Sequence, residues 1–298
     1  MKLVVTGKTG QVATALLAAG RHQDIDVLAI GRPEFDLSNP DAGLASLAGL
    51  APDIIVSAAA YTAVDKAEND SDEALRVNAR GPGALGGLAA ALGVPIIHLS
   101  TDYVYDGRKG GAYVESDPTN PVSVYGATKL AGEQAIEAAT RNHVILRTAW
   151  VYSPFGNNFL KTMLKLAATK PELRVVDDQH GNPTAALDIA DAVIAIAKNL
   201  LLRPDDAGLR GIFHLAGTGA TTWADFAAEI FAASADHGGP SASVIRIPSS
   251  EYPTLARRPT NSCLATEKLQ AIYGVSLPAW QISTRENVRL LLRRRDGK

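Results

Sequence analysis

Short apolar runs alternate with longer alanine-rich stretches along the first half of the chain. Continuous apolar runs of this length are typical of buried parallel strands, which we predict at residues 2–6, 26–30, 53–56, 94–100 and 143–147. Apolar positions that recur every three or four residues predict helices at residues 11–20, 40–50, 71–91 and 123–140. Strands and helices that alternate at this spacing predict an α/β fold with a doubly wound parallel sheet.

The second half has a different pattern, because Pro, Asn, Asp and Gly cluster between its apolar segments. Helices are predicted at residues 159–168, 185–202, 223–234 and 283–294, with one strand at 212–215. We therefore assign residues 1–150 to a parallel-sheet domain of the Rossmann type and residues 151–298 to a smaller mixed α/β lobe. Later segments of the chain can return to the first domain.

Composition narrows the class of protein. The chain has 298 residues, 46% of them hydrophobic and 20% charged, with a net charge of −2, so nucleic acid is not expected as a partner. A single cysteine, Cys263, excludes an internal disulfide framework and a cysteine-based zinc site. Apolar runs fall short of the roughly 18 residues that a membrane helix needs, and the first residues resemble a strand more than a signal peptide. A cytoplasmic protein without a membrane partner is expected.

A glycine-rich turn joins the first strand to the first helix. Its sequence is Gly7-Lys8-Thr9-Gly10-Gln11-Val12-Ala13, a variant of the dinucleotide fingerprint. Glycines allow a sharp turn and a close approach to a pyrophosphate, and the N-terminus of the helix that follows attracts the anion. Contacts to the dinucleotide are predicted at Gly7, Thr9, Gly10, Gln11 and Val12. The first domain is therefore predicted to bind a dinucleotide.

The ends of the second and third strands bear on which dinucleotide is bound. The second strand ends in Gly31-Arg32 without the acidic residue that usually holds a ribose 2′-hydroxyl, so Arg32 favours NADPH, although NADH stays possible. Asp36, with Leu37 beside it, is a candidate contact for the adenine. The third strand leads into Ala58, Ala59 and Ala60, whose small side chains serve either a ligand crevice or close packing of the strand.

An acid–base group is predicted around Tyr125 and Lys129, which are four residues apart and share one face of a helix. A nearby ammonium lowers the pKa of a phenol and can also bind ribose hydroxyls. Thr101 ends the fourth strand, where its hydroxyl could polarise a substrate carbonyl. These three residues predict a carbonyl reduction in which the cofactor provides hydride and tyrosine provides the proton.

These residues belong to a set of motifs that resembles the extended short-chain dehydrogenase/reductase family, and within it the dTDP-4-dehydrorhamnose reductases. The likeness covers nearly the whole chain and rests on the glycine turn and on the segments at residues 52–60, 62–68, 100–105, 125–129, 147–152, 156–159 and 257–262. It implies reduction of the 4-keto group of dTDP-6-deoxy-L-lyxo-4-hexulose to dTDP-L-rhamnose, with NADPH as the donor. Carried over by position, it makes Tyr125 the proton donor, with Lys129 and Thr101 as its catalytic partners.

The resemblance also implies contacts with the nucleotide sugar. It places Asp102 beside the sugar and packs Trp150 on the sugar or nicotinamide side of the pocket. It directs Asn158 and the segment from Arg257 to Asn261 toward the diphosphate or base. Some family members hold magnesium through a glutamate in the first helix, where this chain has alanine and threonine at residues 13–15. No metal is therefore predicted, and the chain is expected as a monomer or a homodimer.

Two alternatives fit the same motifs. The first is a nucleotide-sugar epimerase or 4,6-dehydratase; a dehydratase needs a carboxylate pair, usually Asp-Glu, but Tyr103 follows Asp102 here. An epimerase would be purified with tightly bound NAD. The second is a non-catalytic dinucleotide-binding regulatory subunit, which would alter a partner enzyme while being inactive alone.

Overall fold

The computed structural model describes the backbone of residues 1–296 and the side chains of residues 1–293. In this part of the chain the strands are β1 (Lys2–Thr6), β2 (Asp26–Ile30), β3 (Ile54–Ser57), β4 (Ile96–Thr101), β5 (His143–Thr148), β6 (Val151–Tyr152), β7 (Glu172–Val176), β8 (His180–Gly181), β9 (Thr184–Ala185), β10 (Gly211–His214), β11 (Thr221–Thr222) and β12 (Ser243–Ile247).

The α-helices of the same residues are α1 (Gln11–Gln23), α2 (Asp41–Gly49), α3 (Val64–Ala67), α4 (Ser71–Leu75), α5 (Gly81–Leu92), α6 (Val124–Ala139), α7 (Phe159–Ala167), α8 (Ala186–Leu202), α9 (Trp223–Ala235), α10 (Glu267–Tyr273) and α11 (Trp280–Asp296). A π-helical segment, Arg76–Arg80, joins α4 to α5. Short 3-10 turns cover Asp102–Val104, Ala207–Leu209 and Ser249–Glu251.

A six-stranded parallel sheet forms the centre of the molecule, with the strand order β2-β1-β3-β4-β5-β10. The chain changes direction across the sheet between β1 and β3, and a crevice opens there at the carboxyl ends of the strands. The predicted doubly wound parallel sheet is confirmed. Smaller pairs outside this sheet join β7 to β12, β8 to β11, and β6 to β9.

Two large clusters contain most of the buried apolar side chains of the second half of the chain. The first packs α1, α8 and α10 against the central sheet, so residues 186–214 and 267–277 contribute to the core around that sheet. The second joins α7, β7, α9 and α11 away from that sheet. We propose that the domains interleave along the chain beyond residue 150, in keeping with the predicted return of later segments.

Among the local features that differ from the pattern-based prediction, two have a clear physical reason. The helix expected at residues 71–91 is interrupted by the π-helical segment, which carries the buried Asn78. Strands β7 and β12 were not predicted, because they contain exposed Arg174 and Arg246 and pair in parallel although they are about 70 residues apart. Such pairing is set by tertiary packing and leaves little local signal.

Within the described residues, no helix is at once long enough and apolar enough to span a lipid bilayer.

Candidate active site

A cavity of about 480 Å³ opens at the carboxyl ends of β1 to β5, where the strand order reverses. It is lined by Thr6, Gly7, Thr9, Gly10, Gln11, Val12, Ala13, Arg32, Ala58, Ala59, Ala60, Thr62, Leu99, Ser100, Tyr125, Lys129, Thr148, Val151, Gly156 and Asn157. Most of the residues predicted to touch the cofactor therefore meet in one place. We refer to this space as the first cavity.

The glycine turn forms one wall of the first cavity. Gly7 has φ +99°, and a Cβ there would lie 3.3 Å from the Cβ of Ala59, so both the backbone angle and the close approach require glycine. The hydroxyl of Thr6 accepts hydrogen bonds from the backbone N–H groups of Ala58 and Ala59 at 3.0 and 3.1 Å. The alanines after β3 therefore pack against the turn and also line the cavity.

Helix α1 begins next to this turn with Gly10 as its N-cap. No side chain caps the helix, and its first turn carries no acidic residue. As in any α-helix, its first N–H groups have no intrahelical acceptors. Here neither a capping side chain nor an acidic residue of the first turn offsets the positive end of the helix dipole. This end of α1 is suited to a pyrophosphate.

Gln11 connects the glycine turn to the segment before α7. Its side-chain oxygen accepts hydrogen bonds from Ser153 Oγ at 2.8 Å and from Asn158 Nδ2 at 2.9 Å. Asn158 is also the N-cap of α7, where its Oδ1 accepts from the backbone N–H of Lys161. Asn158 thus makes its hydrogen bonds within the protein, while Gly156 and Asn157 line the cavity.

The end of β2 forms the opposite limit of the first cavity. Arg32 is exposed and lines it, and Lys8 forms an ion pair with Glu34 nearby. Asp36 accepts hydrogen bonds from the backbone and hydroxyl of Ser38, and these hydrogen bonds lower the pKa of its carboxyl. Leu37 is buried in the hydrophobic core, and neither it nor Asp36 lines the cavity.

Tyr125, Thr101 and Asp102 lie together at the ends of β4 and the start of α6. The side chain of Thr101 lies beside the phenol of Tyr125, and its hydroxyl donates to Asp102 Oδ1 at 2.9 Å. Burial raises the pKa of Tyr125 to about 12, the neighbouring Thr101 hydroxyl opposes this rise, and the negative charge of Asp102 adds to it. The phenol is therefore protonated at neutral pH.

Asp102 is almost fully buried, and burial raises its pKa to about 6. The nearby hydroxyls of Ser262 and Thr101 oppose this rise; that of Thr101 donates to Oδ1, whereas that of Ser262 donates to the carbonyl of His180. Within the described part of the chain, the second carboxyl oxygen, Oδ2, has no hydrogen-bond partner. A buried carboxyl with a free oxygen can accept a hydrogen bond from a ligand hydroxyl.

Lys129 reaches the first cavity from the same helix as Tyr125. Its ammonium donates to the carbonyl of Leu99 at 2.7 Å and lies 3.3 Å from His98 Nε2. Burial lowers the pKa of Lys129 to about 8, although the charge of Glu133 acts against this shift. Burial and the charge of Lys129 lower the pKa of His98 well below its usual value, so the imidazole is neutral and can accept from the ammonium.

Asn78 fixes the helix that carries Tyr125. Its side chain accepts from the N–H of Tyr61 at 2.8 Å and donates to Tyr61 O and Thr128 Oγ1, each at 3.1 Å. The Thr128 hydroxyl donates to the carbonyl of Tyr125 at 3.0 Å. Asn78, which is fully buried, thus ties the π-helical segment to the start of α6.

A second cavity of about 630 Å³ is bounded by α7, β7, the segment before β8 and the start of α9 on one side and by residues 252–258 on the other. It is lined by Phe159, Thr162, Met163, Leu166, Lys170, Glu172, Leu173, Arg174, Val175, Val176, Gln179, Trp223, Tyr252, Thr254 and Arg258. It combines aromatic rings and aliphatic side chains with three cationic groups. We refer to it as the second cavity.

Contacts between aromatic residues connect the two cavities. Trp150 stacks on Trp223 with ring centroids 3.6 Å apart, and the next residue, Val151, lines the first cavity. Tyr103 makes an edge contact with Tyr125 at 5.7 Å between centroids. Trp150 therefore lies between the two spaces, although it is not part of either lining.

The predicted substrate contacts near residue 260 lie outside both linings. Arg257 is exposed, whereas its neighbour Arg258 lines the second cavity and forms a two-point ion pair with Asp65, with N···O distances of 2.7 and 3.2 Å. Asn261 donates to the carbonyls of Lys109 and Gly111 and orders that loop. Arg258 belongs to the segment that the resemblance directs toward the diphosphate or base, but a single sequence does not show which of the two adjacent arginines lines a cavity.

Within the part of the chain that the structure describes, no three His, Cys, Asp or Glu side chains lie close enough together to hold a metal ion.

A family model described as the RmlD substrate binding domain matches residues 1–292. The chain belongs to the RmlD family. The resemblance inferred from the motifs is confirmed.

Relatives of the RmlD family match over almost their whole length. The dTDP-4-dehydrorhamnose reductase of Sinorhizobium fredii is 53% identical, with 98% of each chain covered, and that of Escherichia coli is 43% identical, with 96% of each covered. A dTDP-4-dehydrorhamnose reductase from Clostridium acetobutylicum has a TM-score of 0.89 at 36% identity and covers 98% of this chain and 100% of its own. The Bacillus anthracis enzyme, solved in complex with NADP, has a TM-score of 0.89 at 29% identity over 97% of this chain and 100% of its own.

Proposed function

We propose that this chain reduces the 4-keto group of dTDP-6-deoxy-L-lyxo-4-hexulose to dTDP-L-rhamnose, with NADPH as the donor. The observation that carries the proposal is that Tyr125, with Thr101 beside it, and Lys129 meet at the β4 end of the first cavity. The names of its full-length relatives in the RmlD family support the same reaction.

The first cavity fits NADPH. The uncapped end of α1 and the glycine turn suit the pyrophosphate, and Arg32 at the end of β2 suits an adenosine 2′-phosphate. Since β3, β4 and β5 lie on the other side of β1, an extended dinucleotide would place its nicotinamide near Tyr125 and Lys129. When bound there, NADPH supplies the hydride that goes to the ketone carbon.

The second cavity suits the nucleotide part of the substrate. Phe159, Trp223 and Tyr252 offer rings for a pyrimidine base, and Lys170, Arg174 and Arg258 offer positive charge for a diphosphate. The stacked Trp150 and Trp223 lead from this space toward the first cavity. We assign the dTDP group to the second cavity and the sugar to the region between the two.

The proton comes from the phenol of Tyr125. As hydride reaches the carbonyl carbon, the C=O double bond becomes a C–O single bond and the Tyr125 hydroxyl gives its proton to that oxygen. The ammonium of Lys129 then stabilises the phenolate that remains. Thr101 lies beside Tyr125, and its hydroxyl, which donates to Asp102 in the absence of substrate, can turn to donate toward the same carbonyl oxygen.

Asp102 has a separate assignment. Asp102 directly follows Thr101, and its Oδ2 has no hydrogen-bond partner within the described residues. We assign this oxygen to a hydroxyl of the sugar. This assignment requires the carboxylate form, because a protonated carboxyl would lose part of its capacity to accept hydrogen bonds. The cytoplasmic location, the oligomeric state and the lack of a nucleic-acid partner stay predictions.

The direct test is oxidation of NADPH, followed at 340 nm, with purified protein and the dTDP-linked 4-keto-6-deoxy sugar. We expect oxidation that depends on this sugar, with formation of dTDP-L-rhamnose, and a lower rate with NADH than with NADPH. The UDP-linked keto sugar is the matched control for the base. A preparation that binds NADPH but does not reduce the sugar would show that the proposal is wrong. So would a preparation that carries tightly bound NAD and inverts C4 of the sugar without net oxidation of the cofactor.

The pH dependence of kcat/KM should show two limits. The carboxylate of Asp102 is lost below its pKa of about 6, and the ammonium of Lys129 is lost above its pKa of about 8, so activity should be highest between these values. Outside that range, kcat/KM should fall about tenfold per pH unit. Initial rates need a blank without enzyme, because NADPH decays in acid.

Two variants test these assignments. Lys129→Arg keeps a positive charge at all accessible pH values, so its alkaline limit should disappear even if kcat is low. Asp102→Asn should remove the acid limit in the same way. If both limits persist in the variants, other groups control the pH dependence and the two assignments are wrong.

A further inference from the structure

Thr148 is a buried residue of the first cavity to which the reaction described so far gives no role. It ends β5 opposite Thr101 in the parallel register of β4 and β5, and it is 7% exposed. The residue lines the first cavity, and its buried hydroxyl makes no hydrogen bond within the described residues. A buried hydroxyl without a partner costs free energy, so its presence points to a partner that the protein itself does not provide.

The position of Thr148 indicates which part of a ligand it meets. The end of β2 receives the adenosine, and β5 lies four strands away across β1, β3 and β4. The other residues at this end of the cavity include Leu99 and Val151, which offer an apolar surface for a flat ring. The nicotinamide ring is the part of a dinucleotide that would occupy this position.

The neighbouring polar groups are already engaged. The hydroxyl of Ser100 donates to Glu133, and the ammonium of Lys129 donates to the carbonyl of Leu99. The phenol of Tyr125 lies beside Thr101 and is assigned to the ketone oxygen of the substrate. Thr148 therefore provides the unengaged hydroxyl at this end of the cavity, and it can both donate and accept.

We propose that the Thr148 hydroxyl hydrogen-bonds the carboxamide of the nicotinamide ring and so positions the ring for hydride transfer. This inference rests on the proposed function, since it assigns a residue to the cofactor of that reaction. A ring held at one edge by a hydrogen bond and covered by apolar side chains has little freedom to turn, which favours a productive distance to the ketone carbon. Thr148 is thus a positioning residue for the cofactor.

Thr148→Val distinguishes this role from a merely structural one. Valine has nearly the same shape and removes the unpartnered hydroxyl, so the protein without NADPH should have an equal or higher Tm. The rise in Tm on adding NADPH should become smaller, and kcat should fall about tenfold. Thr148→Ser keeps the hydroxyl and should restore kcat to within about threefold of the unaltered protein.

Thr284→Val provides the matched control. The hydroxyl of Thr284 is also buried, but it donates to the carbonyl of Trp280 in α11, away from the cavity. This variant should have a lower Tm, with an unchanged kcat and an unchanged response to NADPH. Its behaviour separates the loss of a satisfied structural hydrogen bond from the loss of a ligand contact.

The thermal-shift measurement needs no sugar, so it separates this inference from the proposed function. If Thr148→Val shows the unaltered response to NADPH and the unaltered kcat, the inference is wrong. If it shows the reduced response while the parent protein fails to reduce the dTDP-linked sugar, the inference stands and the proposed function falls. A serine variant as impaired as the valine variant would also overturn the inference, because the hydroxyl would then not be the relevant group.

Discussion

Tyr125→Phe is expected to lower kcat for reduction by about 10²–10⁴, the usual contribution of a positioned general acid. The substitution removes only the phenolic oxygen, and the ring keeps its edge contact with Tyr103. The KM for the sugar and the dissociation constant for NADPH should change little, because the lost proton donor acts mainly in the transition state. Steady-state rates and NADPH titration by fluorescence measure the two effects separately.

Tyr273→Phe is the control for this experiment. Its hydroxyl is also buried and donates to the carbonyl of Leu209, but it lies in α10, outside both cavities. It should leave kcat within about twofold of the parent protein. A Tyr125→Phe protein that retains full activity would remove Tyr125 from its assigned role and leave Thr101 as the remaining hydroxyl beside the ketone.

Glu133→Ala is expected to destabilise the fold by about 3–5 kcal/mol. Glu133 and Arg147 form a buried ion pair with an N···O distance of 2.6 Å, and their side chains are 2% and 3% exposed. Arg147 also donates to the hydroxyl of Tyr105 at 2.7 Å. Removal of the carboxylate would leave the guanidinium buried with that neutral partner alone, which costs more than the pair contributes when it is intact.

Urea unfolding followed by circular dichroism measures this change in the free energy of unfolding. Glu73→Ala is a suitable comparison, because Glu73 forms an ion pair with Arg76 on the exposed surface of α4, where such pairs contribute at most about 1 kcal/mol. Equal losses in the two variants would show that burial of the Glu133 pair has no special consequence. A Glu133→Gln variant should lie between the two, since an amide retains part of the hydrogen bonding.

The sequence predicted those parts of the site that local rules determine. The glycine turn, Arg32 at the end of β2 and the Tyr125–Lys129 spacing each follow from a short stretch of chain, and the structure brings them to one cavity. Their catalytic and binding roles stay predictions. The expected lowering of the Tyr125 pKa by Lys129 is not seen, because burial dominates and raises it to about 12.

Other predicted ligand contacts lie outside both cavities, and their roles stay predictions. Leu37 is buried in the core, the Asn158 amide donates to Gln11 and to the carbonyl of Ser153, and the Asn261 amide donates to the carbonyls of Lys109 and Gly111. Arg258 and Thr148 line cavities, but their burial arises from strands and loops that come from separate parts of the chain. Long-range packing decides these positions, and a single sequence carries little information about it.

The return of β10 and α8 to the central sheet has a consequence for dissecting the protein. A fragment ending at residue 150 would leave β5 as an unpaired edge and would uncover the apolar face of α1 that packs on α8. Neither half could then be produced as an autonomous unit. Exchange of specificity between relatives must therefore proceed by replacing the discontinuous segments of one lobe within an intact chain, and not by joining two fragments at one position.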